Sequence, residues 1–265
     1  MKKCFFVMAL VPLCFFACSS DDEESSKAPV PAVTSAKIGD IYYSDGTCSK
    51  LLALEKTPIG IVVYVGNDSV SENMHGLVMA LHNSGKEKWS PKGSPKGMSL
   101  FPLLNSIEDA IVDYSGSAKT KWLAEHDSYA AKSALNYDVA VPAETSGWFL
   151  PSIGQWIAVV NNFGAGVSST LTPKTYTGGA QVLSGINEAL SKVGIEGSDY
   201  TAISTKYPKG VSKDGQSGYF WSSSITTSDM NSYYAEDIVF HEENGIYVGG
   251  GSEFSSLYVR PFLAY

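Results

Sequence analysis

Three short β-branched or aromatic runs open the patterned part of the chain: Ile38 to Tyr43, Gly60 to Val65 and Leu77 to Leu81. Asp-Gly, Gly-Asn and Asn-Ser-Gly turns bound them, so a β-rich first third is predicted. Lys86 to Met98, broken by Trp89, Pro91, Gly93, Pro95 and Gly97, fits neither period and reads as a surface loop. The period then changes. Ser106-Ile107-Glu108-Asp109 has a capping-box pattern, and Ile107, Ala110, Ile111 and Tyr114 share one helical face. Trp122, Leu123, His126, Tyr129, Ala130, Ser133 and Ala134 continue at helical spacing as a second helix. Two more are predicted at Ser152 to Asn161, opened by Pro151, and at Ala180 to Val193, closed by Gly194.

The final fifty residues return to alternation. Tyr219 to Ile225, Tyr233 to Phe240, Gly245 to Val248 and Leu257 to Leu263 read as strands, with Glu243-Asn244-Gly245 as a hairpin signal. Strands flanking a helical middle predict an α+β fold rather than a βαβ repeat.

The N-terminus follows another logic. Lys2 and Lys3 precede an apolar run from Cys4 to Ala17, and Cys18 then opens the tract Ser19-Ser20-Asp21-Asp22-Glu23-Glu24. A basic tip, an apolar stretch and small residues before a cysteine are the parts of a bacterial lipoprotein signal, which makes Cys18 the expected lipidation site. The run is shorter than the roughly twenty apolar residues a membrane-spanning helix needs, and Pro12 interrupts it. Residues 1–17 are therefore expected to be a signal peptide and 18–36 an acidic, Pro-containing tether. Residues 37–265 would form a single folded domain. Extended, the tether reaches on the order of 60 Å from the acyl chains at about 3.3 Å per residue. The Cys-Ser-Ser-Asp-Asp-Glu-Glu start resembles the export tag of surface-exposed lipoproteins in Bacteroides-like bacteria, which implies the outer face of the outer membrane.

Charge and cysteine content narrow the function. A net charge of −8 without a basic cluster argues against nucleic acid and against anionic lipid headgroups as partners. Cys4 and Cys14 leave with the signal and Cys18 is acylated, so Cys48 remains as the thiol of the mature body and burial rather than a disulfide must hold the fold.

Four stretches in order carry a resemblance: Gly39-Asp40-Ile41-Tyr42-Tyr43 with Asp45-Gly46; Gly147-Trp148-Phe149-Leu150-Pro151-Ser152 with Gln155-Trp156; Tyr219-Phe220-Trp221-Ser222-Ser223-Ser224; and Val259-Arg260-Pro261-Phe262. Together they resemble the lectin-like C-terminal domain family named from Legionella collagen-like proteins. That family is related to the Fibrobacter paralogous surface domain and, more remotely, to the formylglycine-generating enzyme and C-type lectin folds. The resemblance implies a C-type-lectin-like α+β domain whose N- and C-terminal strands pair, here Ile38 to Tyr43 with Leu257 to Leu263. The stretch after Ala158, including Ala180 to Val193, departs from the family pattern.

Catalytic signatures fail. His241-Glu242 is followed at the second-ligand position by Gly245, Gly164-Ala165-Gly166 lacks a third glycine, and no Gly-x-Ser-x-Gly elbow exists. The cysteine pair that the related enzymes use is missing, as are the calcium-lectin motifs, so neither cofactor nor metal is expected. Trp148, Trp156 and Trp221 read first as core anchors, and Arg260 as a donor to loop carbonyls. Contact chemistry remains: Trp89, Tyr219, Trp221, Asn231, Tyr233 and Tyr234 are the candidate ligand-binding residues for a glycan or protein. Asp68-Ser69-Val70 resembles the O-glycosylation acceptor of Bacteroides-like bacteria, with Ser69 as acceptor. The expected function is non-catalytic binding or adhesion at the cell surface. A fimbria-associated or other assembly component is the alternative, and an enzyme of unrecognised type on the same fold the second.

Overall fold

The computed structural model describes residues 36–91, 102–164, 175–204, 218–227, 233–241, 245–251 and 255–265. These residues fall within one unit, Val33–Tyr265. The expected signal segment, Cys18 and nearly all of the expected tether lie outside the described residues.

Among the described residues, twelve strands form two six-stranded sheets. The first contains β1 (Ile41–Tyr43), β2 (Cys48–Ser49), β3 (Pro58–Val65), β4 (Gly76–Ala80), β6 (Trp148–Phe149) and β12 (Phe262–Ala264), in the order β2-β1-β3-β4-β12-β6. The second contains β5 (Gly85–Lys88), β7 (Thr175–Tyr176), β8 (Tyr219–Thr227), β9 (Tyr233–His241), β10 (Gly245–Gly251) and β11 (Ser256–Val259), in the order β5-β11-β8-β9-β10-β7. The described ladders between these strands are antiparallel except β8 with β11, where Tyr258 pairs with Phe220 in parallel. The helices are α1 (Ile107–Ala110), α2 (Gly116–Glu125), α3 (Tyr129–Leu135), α4 (Ile153–Phe163) and α5 (Gly179–Ser191). The α+β class read from the sequence is what the chain adopts.

The main core joins the sheets. Ile61, Met79 and Phe262 of the first sheet, Phe220, Ile238 and Phe240 of the second, and Trp156, Val160 and Ile186 from the helices form one buried cluster. Trp156 is its hub, with ring centroids 4.8 Å from Phe262, 5.4 Å from Phe220 and 6.0 Å from Phe240. A second cluster packs α2 and α3 against the second sheet through Leu123, Ala130, Trp89 and Trp221. A third, with Tyr42, Val62, Val78, Trp148 and Leu263, contains the other strand positions of the first sheet. The expectation that Trp148, Trp156 and Trp221 anchor cores holds.

Local chemistry explains the helix starts. Ser152 accepts from Gln155 N–H while Gln155 Oε1 accepts from Ser152 N–H, a complete capping box directly after Pro151. Ser106 caps α1, but that helix ends at Ala110, short of the predicted Tyr114. The predicted second helix is two. Asp127 adopts φ +70°, a left-handed conformation that ends α2, and Ser128 restarts the backbone by capping Ala131 N–H.

Two strand expectations are corrected. The run Leu257 to Leu263 divides at Arg260-Pro261 into β11 and β12, one in each sheet. Consequently β12 pairs with β4 and β6, whereas β1 pairs with β2 and β3, so the first and last strands share a sheet without touching as a ladder. The segment read as a surface loop from Lys86 is likewise partly strand. β5 pairs with β11, and Trp89 turns inward as the strand ends, while the rest of that segment from residue 92 lies outside the described residues.

Arg260 marks the crossing between the sheets. Fully buried, its guanidinium donates to Asn83 Oδ1 (2.7 Å), Ala80 O (3.0 Å), Leu81 O (2.9 Å) and Thr201 O (2.7 Å). These bonds confirm its reading as a structural donor. Burial pushes its pKa down to about 10, which still leaves it charged at neutral pH. Arg260→Met removes the donors and strands four buried or half-buried acceptors. Urea unfolding should show a loss of about 3 kcal/mol or more, with little recovery in Arg260→Lys, whose ammonium cannot reproduce the planar fork. A loss below about 1 kcal/mol would contradict this role.

Candidate functional site

β8 and β9 create the most polar part of the interior. Phe220 pairs with Ile238 and Trp221 with Asp237, but the next pairing is Ile225 with Ala235. Ser222, Ser223 and Ser224 thus oppose the single position Glu236, a wide bulge that bends β8. Two of the three hydroxyls bond to groups packed around the bulge, while Ser223 Oγ is buried without a hydrogen-bond partner. Ser222 Oγ donates to Glu236 O (2.7 Å), and Ser224 Oγ accepts from Ile153 N–H (3.0 Å) and donates to Asp113 Oδ2 (3.0 Å). Asp113 is paired in turn with the ammonium of Lys119 at 2.7 Å, both side chains being buried. Burial alone would raise the Asp113 pKa. The Lys119 charge and hydrogen bonds from Lys119 and Ser115 outweigh it and hold the carboxyl below its usual value. All three serines are buried, so this network braces the bulge and offers no nucleophile to a substrate.

Beyond the bulge lies a cavity of about 440 Å³. Its walls are Ser106 and Glu108 at the start of α1, Thr226 at the end of β8, Tyr234 and Glu236 on β9, and Gly250 on β10. Tyr234 is 45 % exposed, whereas Glu236 is 3 % exposed and accepts a hydrogen bond from the Thr226 hydroxyl. A Cβ at Gly250 would meet Tyr234 Cβ at 2.9 Å and its ring at 3.3 Å, so the tyrosine lies close over bare backbone. The arrangement combines an exposed aromatic, a fixed carboxylate and hydroxyls.

A second pocket, of about 380 Å³, has a more apolar lining, with Leu52, Leu54, Ile59 and Val139 beside His82 and Asp199. His82 Nδ1 lies 3.0 Å from Thr201 Oγ1, and burial, with the Arg260 charge, lowers its pKa. Cys48 is half-buried, and burial and Asp40 raise its thiol pKa, the opposite of an activated nucleophile. Among the described residues no group of His, Cys, Asp and Glu could hold a metal ion, and no described helix is long and apolar enough to cross a membrane.

The predicted ligand residues separate. Trp89 and Trp221 are buried, their indole N–H groups donating to Ser222 O (3.1 Å) and Glu87 O (2.7 Å), so neither can present a surface to a ligand. They are corrected to core residues. Their apolar area and N–H donors are both satisfied inside the fold. Tyr219 and Tyr233 are half-buried against the same cluster. Of the six, Tyr234 reaches the cavity; Asn231 lies outside the described residues. Ser69 is exposed in a 3-10 turn, Ser69–Ser71, whose cap Asp68 accepts from Val70 N–H (3.0 Å) and from the Tyr64 hydroxyl (2.6 Å). The sequence reading missed Glu236, Glu108 and Thr226. The available signal was Glu236-Asp237, two adjacent acids inside the otherwise apolar run Ala235 to Phe240.

With this geometry in place, comparison with known proteins can be weighed. No family model and no curated protein matches the chain. In fold, the chain is similar to a fimbrial protein. That crystal structure, from Bacteroides ovatus, aligns over 86 % of this chain with a TM-score of 0.54 at 19 % identity. The chain spans about half, 49 %, of that protein's length. At this identity the likeness concerns the fold.

Asp237 generates a pH prediction. Burial first, and then the Glu236 charge, push its pKa up to about 8. The folded state therefore binds a proton that an unfolded aspartate releases near pH 4. Its contribution is complete below that pH and is lost as pH rises through about 8. Urea unfolding should show stability falling between about pH 5 and pH 9, and Asp237→Asn should reduce that fall by at least about 1 kcal/mol. An identical fall in the variant would contradict the assignment.

Proposed function

We propose that this protein is a surface-assembly component of a Gram-negative cell envelope, a fimbria-associated subunit held to the outer membrane through acyl chains on Cys18. The observation carrying this reading is the shared fold with a fimbrial protein across 86 % of the chain. The export signal and the acidic, Pro-containing tether support it independently, since they suit a body displayed at a distance from a lipid anchor. The closely packed two-sheet body suits a load-bearing subunit, and the reading assigns it no catalytic step.

Binding of a glycan or protein ligand is the second role, favoured by the open cavity beside Tyr234. The lectin-like relationship drawn from the four motifs remains, within this reading, a proposal about descent. So does modification of Ser69, whose exposure leaves it accessible.

Two experiments test the proposal. Cross-linking intact cells that carry the tagged full chain, followed by purification and mass spectrometry, should recover a stoichiometric envelope partner or further copies of the chain. Recovery of the monomer alone would contradict an assembly role. In fractionated cells the wild type should sediment with outer membranes, and Cys18→Ala should lose that association. Equal membrane recovery of the two would remove the anchor from the account.

A further inference from the structure

The geometry points to a neutral-saccharide site in the cavity bounded by the start of α1 and the ends of β8, β9 and β10. Tyr234 would stack on the apolar face of a sugar ring while Glu236 and Glu108 accept hydrogen bonds from its hydroxyls. The inference rests on the ligand-binding role proposed above and narrows it to one ligand class; it stands apart from the assembly role, since an envelope subunit and a free receptor could each carry such a site.

Three independent features converge. Tyr234 is 45 % exposed on a strand whose next six residues are all buried, so its exposure departs from its own strand. Its side chain is set over Gly250, where a methyl group would approach Tyr234 Cβ to 2.9 Å and the ring to 3.3 Å. One side is thus backed by main chain, which holds the ring as a platform of the kind that C–H-rich sugar faces favour. Second, Glu236 faces the cavity while 3 % exposed, and its orientation is fixed by the Thr226 hydroxyl. A carboxylate accepts several hydrogen bonds and donates none, and hydroxyl groups are the donors it suits. Third, at about 440 Å³ the cavity is of small-molecule size.

Charge selects among sugars. Glu236 and Glu108 both line the cavity, and among the described residues no lysine or arginine does. Sialylated and uronate-containing glycans would bring a carboxylate against carboxylates, which costs affinity. Neutral hexose units carry hydroxyl donors without that penalty.

The test uses the full chain on immobilised neutral oligosaccharides of glucose, galactose and mannose, beside sialylated and uronate-containing ones, with spermidine as a cationic competitor. Folding of each variant is checked by thermal melting. Binding to at least one neutral oligosaccharide is expected to weaken by about tenfold in Tyr234→Ala and in Glu236→Gln, the scale of one lost stacking or charge-assisted contact. Tyr234→Phe, which keeps the ring, should recover most of the binding lost in Tyr234→Ala. Tyr129→Ala, which removes a comparably exposed tyrosine on α3, should stay within about twofold of wild type. Because Tyr234 is at the surface, its variant remains informative if Glu236→Gln fails to fold. Absence of neutral-sugar binding, binding confined to acidic glycans, binding of spermidine without any neutral sugar, or unchanged binding in folded Tyr234→Ala would each overturn the inference.

Discussion

A fully buried guanidinium sets the frame of this protein. Between Val259 and Phe262 the chain leaves one sheet and enters the other, with Pro261 O accepting from Ala80 N–H and Val259 O from Ser84 N–H. Arg260 adds side-chain donors at this crossing. It ties the crossing to the end of β4 through Ala80 and Leu81, to Asn83, and to Thr201 in the connection after α5. A buried charge is costly unless its donors are satisfied, and here four hydrogen bonds to neutral oxygens offset that cost. The Trp156 hub then fills the space between the sheets.

The same frame positions the polar features. α4 begins where Ser152 caps it and Ile153 N–H meets Ser224, so the helix carrying the core tryptophan is coupled directly to the β8 bulge. The bulge places Glu236 opposite three serines. Past the bulge, Thr226 orients Glu236 toward the cavity that Tyr234 rims. The bulge thus touches both the start of α4, through Ser224, and the cavity edge, where an exposed aromatic and a fixed carboxylate lie together.

Much of the framework was legible because its signals are local. Pro151 marked the start of α4, Gly194 closed the segment of α5, and β-branched or aromatic runs bounded by turn residues gave β3, β4, β8 and β9 close to their observed extents. The four motifs behind the lectin-like resemblance occupy β1, β6 with the α4 start, the β8 bulge and the Arg260 crossing, all framework positions. What was not legible depends on distant partners. Leu257 to Leu263 reads as one strand until the two sheets compete for its halves. Trp89 sits in a Gly- and Pro-broken segment, yet its indole meets Ser222, 133 positions away. The pairing of the chain's ends was inferred by analogy, and ladder order is a tertiary property that no local period encodes. The cavity was half visible: Tyr234 was singled out, but Glu236 joins it only through the bulge, and Glu108 only through the placement of α1.

If the Arg260 crossing and the Trp156 hub bind the sheets into one body, the sheets must open together. Native-state hydrogen exchange resolves this directly, by comparing amides of β3, β4 and β12 with those of β8, β9 and β10. The account predicts that the slowest amides of both sheets share one opening free energy and the same denaturant dependence. A second sheet that opens at markedly lower free energy while the first stays protected would contradict it.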